Sequence, residues 1–160
     1  MSTQLSGANI KEKKTKKSLN ESEKRYRELA NALPNIIFET DLKGRVTFTN
    51  KMGYEVSGYS QEEIEKGVNI MQFLPNEEQE RAKEHIQRLL AGEISFPIEY
   101  SFVRKDGTTF PALITTARII SKNKVTGLRG LVSDITERKK AEEIVRKSEA
   151  RYRELATQFQ

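Results

Sequence analysis

The chain has 160 residues, 36% of them hydrophobic and 32% charged, with a formal net charge of +5, which fits one domain around a modest core better than two. It holds no cysteine and a single histidine, which excludes disulfides, thiolate metal sites, thiol nucleophiles and a cysteinyl–flavin adduct. No run approaches the ~18 apolar residues of a membrane span, and the first residues lack the apolar stretch of a secretory signal, so the expected location is cytoplasmic.

In chain order, residues 1–18 read as a disordered basic tail. Lys11, Lys13, Lys14, Lys16 and Lys17 stand there against Glu12 alone. The globular part between this tail and the C-terminal helix is therefore not basic. Nucleic-acid binding needs a basic stripe on a folded surface, preferably interleaved with aromatics, so no nucleic-acid partner is expected. Residues 19–33 form a predicted helix with a heptad seam through Leu19, Ser22, Tyr26, Leu29 and Leu33.

After Pro34 the pattern changes to alternation. Strands over about 36–41 and 45–50, joined by the Asp41-Leu-Lys-Gly44 turn, predict a β-hairpin with Phe38 and Phe48 turned to the core. Ser60 with Glu63 makes a capping box. Pro75-Asn76 before Glu77, Glu78 and Glu80 starts a helix that runs to about Ala91 and ends at Gly92, with Ala82, Ile86, Leu89 and Leu90 on its apolar face. A strand through Phe96, Ile98, Tyr100 and Phe102 follows, then a Lys105-Asp-Gly107 turn, a strand over 108–120, a polar loop over 121–127 and a last strand over 127–136. Five antiparallel strands with helices on one face predict an α+β domain over 34–136, flanked by N- and C-terminal helices. The space between helices and sheet is where a small ligand would sit.

The last segment, 137–160, predicts a helix with its own heptad seam through Ala141, Val145, Ser148, Tyr152, Leu155 and Phe159. It also carries a repeat. Ser22-Glu-Lys-Arg-Tyr-Arg-Glu-Leu-Ala30 returns as Ser148-Glu-Ala-Arg-Tyr-Arg-Glu-Leu-Ala156, matching at eight of nine positions. The repeat implies a unit of about 126 residues, helix then globular domain then helix, of which the chain holds one and the opening helix of a second. Leu19, Tyr26, Leu29, Ala141, Val145, Tyr152 and Leu155 are the expected helix contacts of a homodimer.

Several pieces occur together and in order: Phe38-Glu-Thr-Asp-Leu-Lys-Gly44 with Val46 and Asn50; Gly58-Tyr-Ser60 with Glu62-Glu63-Ile64; Leu74-Pro75; Arg104-Lys-Asp-Gly107; and Asp134-Ile-Thr-Glu-Arg138. In this combination, over roughly residues 22–140, the chain resembles a PAS domain with its C-terminal PAC segment. The resemblance implies a sensor and relay module of a multidomain signalling protein such as a sensor histidine kinase, with a downstream kinase or second PAS module as partner. It implies that Asp134, Ile135 and Thr136 pass the signal from the last strand to the C-terminal helix. The expected pocket residues are Phe38, Phe48, Ile86, Ile98, Tyr100, Ile114, Thr116, Leu128 and Val132. A ligand there would be small and apolar, with a polar end meeting Thr116 or Tyr100. An empty core, in a relay that only dimerises, is the competing expectation.

Cofactors are weaker readings. His85 lies on the helix where the haem-binding branch of the family carries its ligand, but one turn away from the matching place near Ala82; a boundary histidine is the expectation. With no cysteine, only a non-covalent flavin remains open. Gly53 to Ser60 mimics half of a phosphate loop without its lysine, so its glycines are assigned to turns. Glu39 and Asp41 share a strand face, expected to meet solvent, and no catalytic or metal site is assigned.

Overall fold

The computed structural model describes residues 2–159. Five antiparallel strands, β1 (Ile36–Asp41), β2 (Val46–Thr49), β3 (Ile98–Val103), β4 (Thr109–Ser121) and β5 (Lys124–Asp134), form one sheet in the order β2-β1-β5-β4-β3. The long crossover from β2 to β3 carries α2 (Lys51–Ser57), α3 (Gln61–Gly67), a 3-10 turn (Ile70–Phe73) and α4 (Asn76–Leu90). These cover the inner face of the sheet. Two long helices flank the domain, α1 (Ser2–Ala32) and α5 (Thr136–Gln158). The order and class are those the alternation of periods predicts.

The core has two centres. Ile36, Phe102, Phe110, Ala112 and Val132 form one on the inner face of the sheet. Val46, Ile64 and Val68 form the other, under α3. Phe73 packs against both: it stacks on Phe102 at 5.3 Å and meets Tyr59 edge-on at 5.4 Å.

The short elements are fixed by caps. Asn50 opens α2 by accepting from Gly53 N, and Gly58 closes it in the left-handed region at φ 81°. Ser60 and Glu63 form the expected capping box of α3, each side chain accepting from the other's backbone N–H. Asn50 also donates through Nδ2 to the carbonyls of Ala30 and Asn35 and accepts from Ile37 N. One buried amide thus ties α1, β1 and α2 together.

Four expectations are corrected. Residues 1–18 were expected to be disordered, but from Ser2 they belong to α1; Met1 lies outside the described residues. Lysine has good helix propensity, no proline interrupts the chain before Pro34, and the lysines of residues 11–17 are all solvent-exposed. The expected loop over 121–127 is a two-residue hairpin turn: Lys122 and Asn123 take φ of 51° and 63°, and β5 begins at Lys124. β5 ends at Asp134 and Thr136 already belongs to α5. β3 starts after Pro97, which leaves Phe96 outside the sheet and 70% exposed.

Candidate functional site

Between the inner face of the sheet and α2–α4 lies a cavity of about 90 Å³. Phe38, Ile86, Tyr100, Ile114, Thr116 and Val132, all expected there, line it. Register places them: Ile114 pairs with Val132, Thr116 with Gly130 and Phe38 with Gly130, so their side chains share one face. Gly130 leaves room for the Phe38 ring, which a Cβ would overlap.

Three expected residues are not in the cavity wall. Phe48 turns to the outer face, because Thr47 is an extra residue in β2. Val46 pairs with Thr40 while Phe48 pairs with Glu39, and this bulge reverses the alternation. Ile98 shares the parity of Tyr100 but lies at the first residue of β3 and only half-buried. Leu128 is 2% exposed and packs beyond the cavity, opposite Thr40.

Sequence reasoning missed the other wall. Met71, Phe73 and Leu74 from the 3-10 turn and its cap, and Gly53 and Ser57 from α2, line the cavity too. Their helical turns are too short to show a period. Gly53 is not at a turn: it sits inside α2 against Thr49, whose side chain a Cβ would overlap. Gly58 does serve a turn.

The lining is apolar with a few polar groups, among them Thr49, Ser57, His85, Tyr100 and Thr116. Tyr100 is 5% exposed, and its hydroxyl finds no hydrogen-bond partner among the described residues. Burial raises its pKa, against the opposing charge of Arg81. The Arg81 guanidinium lies 4.4 Å from the ring centroid and donates to Glu99 O, while Glu78 accepts from Ser101 N at 2.8 Å. These contacts hold α4 over β3.

His85 lines the cavity, with Nε2 3.2 Å from Ser95 Oγ. Burial, then the Arg88 charge, lowers its pKa. Pockets for drug-sized ligands run to about 300–1,000 Å³; neither haem nor flavin fits a space of about 90 Å³ without a large rearrangement. Among the described residues no group of three or more His, Asp or Glu is placed to hold a metal ion.

Glu39 and Asp41 have separate structural tasks. Glu39 Oε1 accepts from Arg129 Nε and Nη2 at 2.8 and 2.6 Å and from the Tyr26 hydroxyl at 3.1 Å. Asp41 Oδ1 accepts from Lys43 N and Arg45 N and closes the hairpin. The Tyr26 ring also packs at a tilt against Phe48, with centroids 5.6 Å apart. Tyr26 is thus turned to the sheet rather than to a helix partner. Leu19, Leu29, Val145, Tyr152 and Leu155 are 47–79% exposed, and Ala141 is exposed too.

At the end of β5, Asp134 Oδ1 accepts from Thr136 N at 2.9 Å and from the Thr136 hydroxyl. Ile135 is 6% exposed and donates its N–H to Pro111 O at 3.0 Å. One turn on, Lys139 pairs with Glu99 of β3. The start of α5 is therefore bound to β3, β4 and β5, strands that also wall the cavity.

The profile of the PAS domain family matches residues 34–137. The chain belongs to the PAS domain family. It is 28% identical over 138 residues to sporulation kinase C of Bacillus subtilis, covering 79% of this chain and 31% of that protein. It is 31% identical over 140 residues to the methyl sulfide methyltransferase-associated sensor of Methanosarcina acetivorans, covering 86% of this chain and 14% of that protein. The chain spans less than a third of either relative. Its fold is that of a PAS domain from Colwellia psychrerythraea, at a TM-score of 0.65 and 22% identity, over 71% of this chain and 97% of that one. No helix of this PAS chain, among the described residues, is long and apolar enough to cross a membrane.

Proposed function

We propose that this PAS domain is the sensory and relay module of a larger cytoplasmic signalling protein, of the sensor histidine kinase kind. A small, mostly apolar molecule with one hydrogen-bonding group occupies the cavity. It binds two conformers of the domain unequally, and so shifts their populations. The shift passes through β4 and β5 to Asp134, Ile135 and Thr136, and from there to α5 and the output domain. The flanking helices, through their exposed apolar residues, join two copies.

The observation that carries this reading is the buried Tyr100 hydroxyl, without a partner, on the wall of an apolar cavity. A buried polar group left unpaired costs on the order of 1–3 kcal/mol, which a ligand's polar atom would recover. The names of the two relatives, one a sporulation kinase and one a sensor, support the signalling context.

Native mass spectrometry of the purified chain is the test. A species heavier than the 18.4 kDa protomer, whose extra mass is reduced in Tyr100→Phe, supports the sensor. A dimer at the bare protomer mass, with no thermal shift from small alcohols, ketones or phenols, replaces it by a ligand-free relay.

A further inference from the structure

The first copy of the repeated segment has a defined docking task. Tyr26 and Ala30 stand one turn apart on the same face of α1. Ala30 is 2% exposed, and its carbonyl accepts from Asn50. Tyr26 lies on Phe48, donates to Glu39 and is covered by the Arg129 guanidinium 5.2 Å from its ring. The outer face of the sheet is shaped for this segment.

The second copy, Ser148–Ala156, differs from the first only in Ala150 for Lys24. Lys24 is exposed and contributes nothing to the docked face beyond an ion pair with Glu28 on the solvent side. Tyr152 and Ala156 repeat the docking pair, yet both are exposed, Tyr152 to 79%. Its own sheet is out of reach. α1 enters β1 and α5 leaves β5 at the same end of two paired strands, where Ile36 faces Val132. Tyr26 is about 9 Å along its helix from that end, but Tyr152 about 24 Å, at 1.5 Å per residue. An unbroken α5 leaves Tyr152 much farther from that end than Tyr26 is, and Tyr152 is exposed rather than seated on its own sheet.

We infer that residues 148–156 dock on the outer sheet face of a second copy of this chain, with Tyr152 of one copy on Phe48 and Glu39 of the other, beneath Arg129. This specifies one contact of the self-association proposed above and rests on that part of the reading; it is independent of the cavity. The tethered α1 competes for the same face at an effective concentration in the millimolar range, so the wild-type exchange is weak. Exchange of an equivalent element between copies is a low-cost route to a dimer.

A sharp consequence follows: removing the docking tyrosine of α1 strengthens association. Sedimentation equilibrium of the full chain tests it. In Tyr26→Ala the dimer dissociation constant falls at least tenfold, and the gain is lost in Tyr26→Ala/Tyr152→Ala and in Tyr26→Ala/Arg129→Ala. Far-UV circular dichroism checks that each variant is folded. Should Tyr26→Ala fail to fold, Tyr26→Phe, which loses only the bond to Glu39, falls two- to threefold. A dimer whose constant ignores both Tyr26 variants, or a double variant that dimerises as strongly as Tyr26→Ala, overturns this contact and leaves self-association through another face. A chain that stays monomeric in every form overturns both.

Discussion

Tyr100 is the residue whose chemistry the packing leaves unfinished. Removing its hydroxyl removes an unpaired buried group, so Tyr100→Phe is expected to melt at the same temperature as wild type or a few degrees higher. A loss of about 1 kcal/mol or more would mean that the hydroxyl has a protein partner. Gly130 is the opposite case, a place with no room. A Cβ there meets the Phe38 ring, so Gly130→Ala is expected to cost about 1–3 kcal/mol by overpacking. Chemical denaturation measures it, and Phe38→Leu in the same chain restores part of the loss. His85 adds a pH dependence. Its pKa is lowered in the fold, so the unfolded chain takes up its proton first. Stability is therefore full above the ordinary imidazole value of about 6.5 and falls as the pH drops from there through the lowered folded value. A melting curve series from pH 7.5 to 5 is expected to be flatter in His85→Gln than in wild type. Equal slopes would remove His85 from the account.

At the scale of elements, Asp134 ends one and begins another. Its carboxylate holds Thr136 by two hydrogen bonds at the first turn of α5. Asp134→Ala is expected to fray that turn and raise exchange of the Thr136 and Lys139 amides, which bond Asp134 and the Ile135 carbonyl, about tenfold, equivalent to roughly 1.4 kcal/mol, while Asp134→Asn keeps most of the protection. Unchanged exchange in Asp134→Ala would show that the buried Ile135 alone fixes the exit. What was legible in the sequence divides along the same scale. Long periodic segments such as α4, and side-chain caps such as Ser60 with Glu63, announce themselves, because period and capping are local properties. Phe48 does not. Its face depends on a bulge at Thr47 that is set by pairing with β1, a partner the local alternation cannot see. The turn at Lys122-Asn123 was hidden for a similar reason: lysine rarely takes positive φ, and only the close pairing of β4 and β5 requires it. The cavity wall from Met71 to Leu74 lies in a single 3-10 turn, too short for any pattern to form.

At the scale of the whole molecule, input and output meet in the same strands. Ile114 and Thr116 of β4 and Val132 of β5 wall the cavity, and two residues beyond Val132 the chain reaches Asp134. Ala112, fully buried, pairs with Asp134 itself. A change in how α4 sits over the sheet can therefore reach α5 through close-packed side chains without crossing a loop. Filling the cavity from the helix side separates this coupling from ligand chemistry. Ala82 is 5% exposed and lines the cavity from α4. Ala82→Leu adds three carbons to a space of about 90 Å³, each worth about 0.8 kcal/mol when buried without strain. The variant is expected to melt several degrees above wild type and to bind no cavity ligand. If the cavity and the exit are coupled, it also changes amide exchange in the first two turns of α5, far along the chain from residue 82. A variant that is stabilised but leaves α5 exchange as in wild type would make the cavity a packing defect with no line to the output helix. A variant destabilised by about 1 kcal/mol or more would show that the space is not open to a side chain from α4, and that the walls, rather than a ligand, set its size.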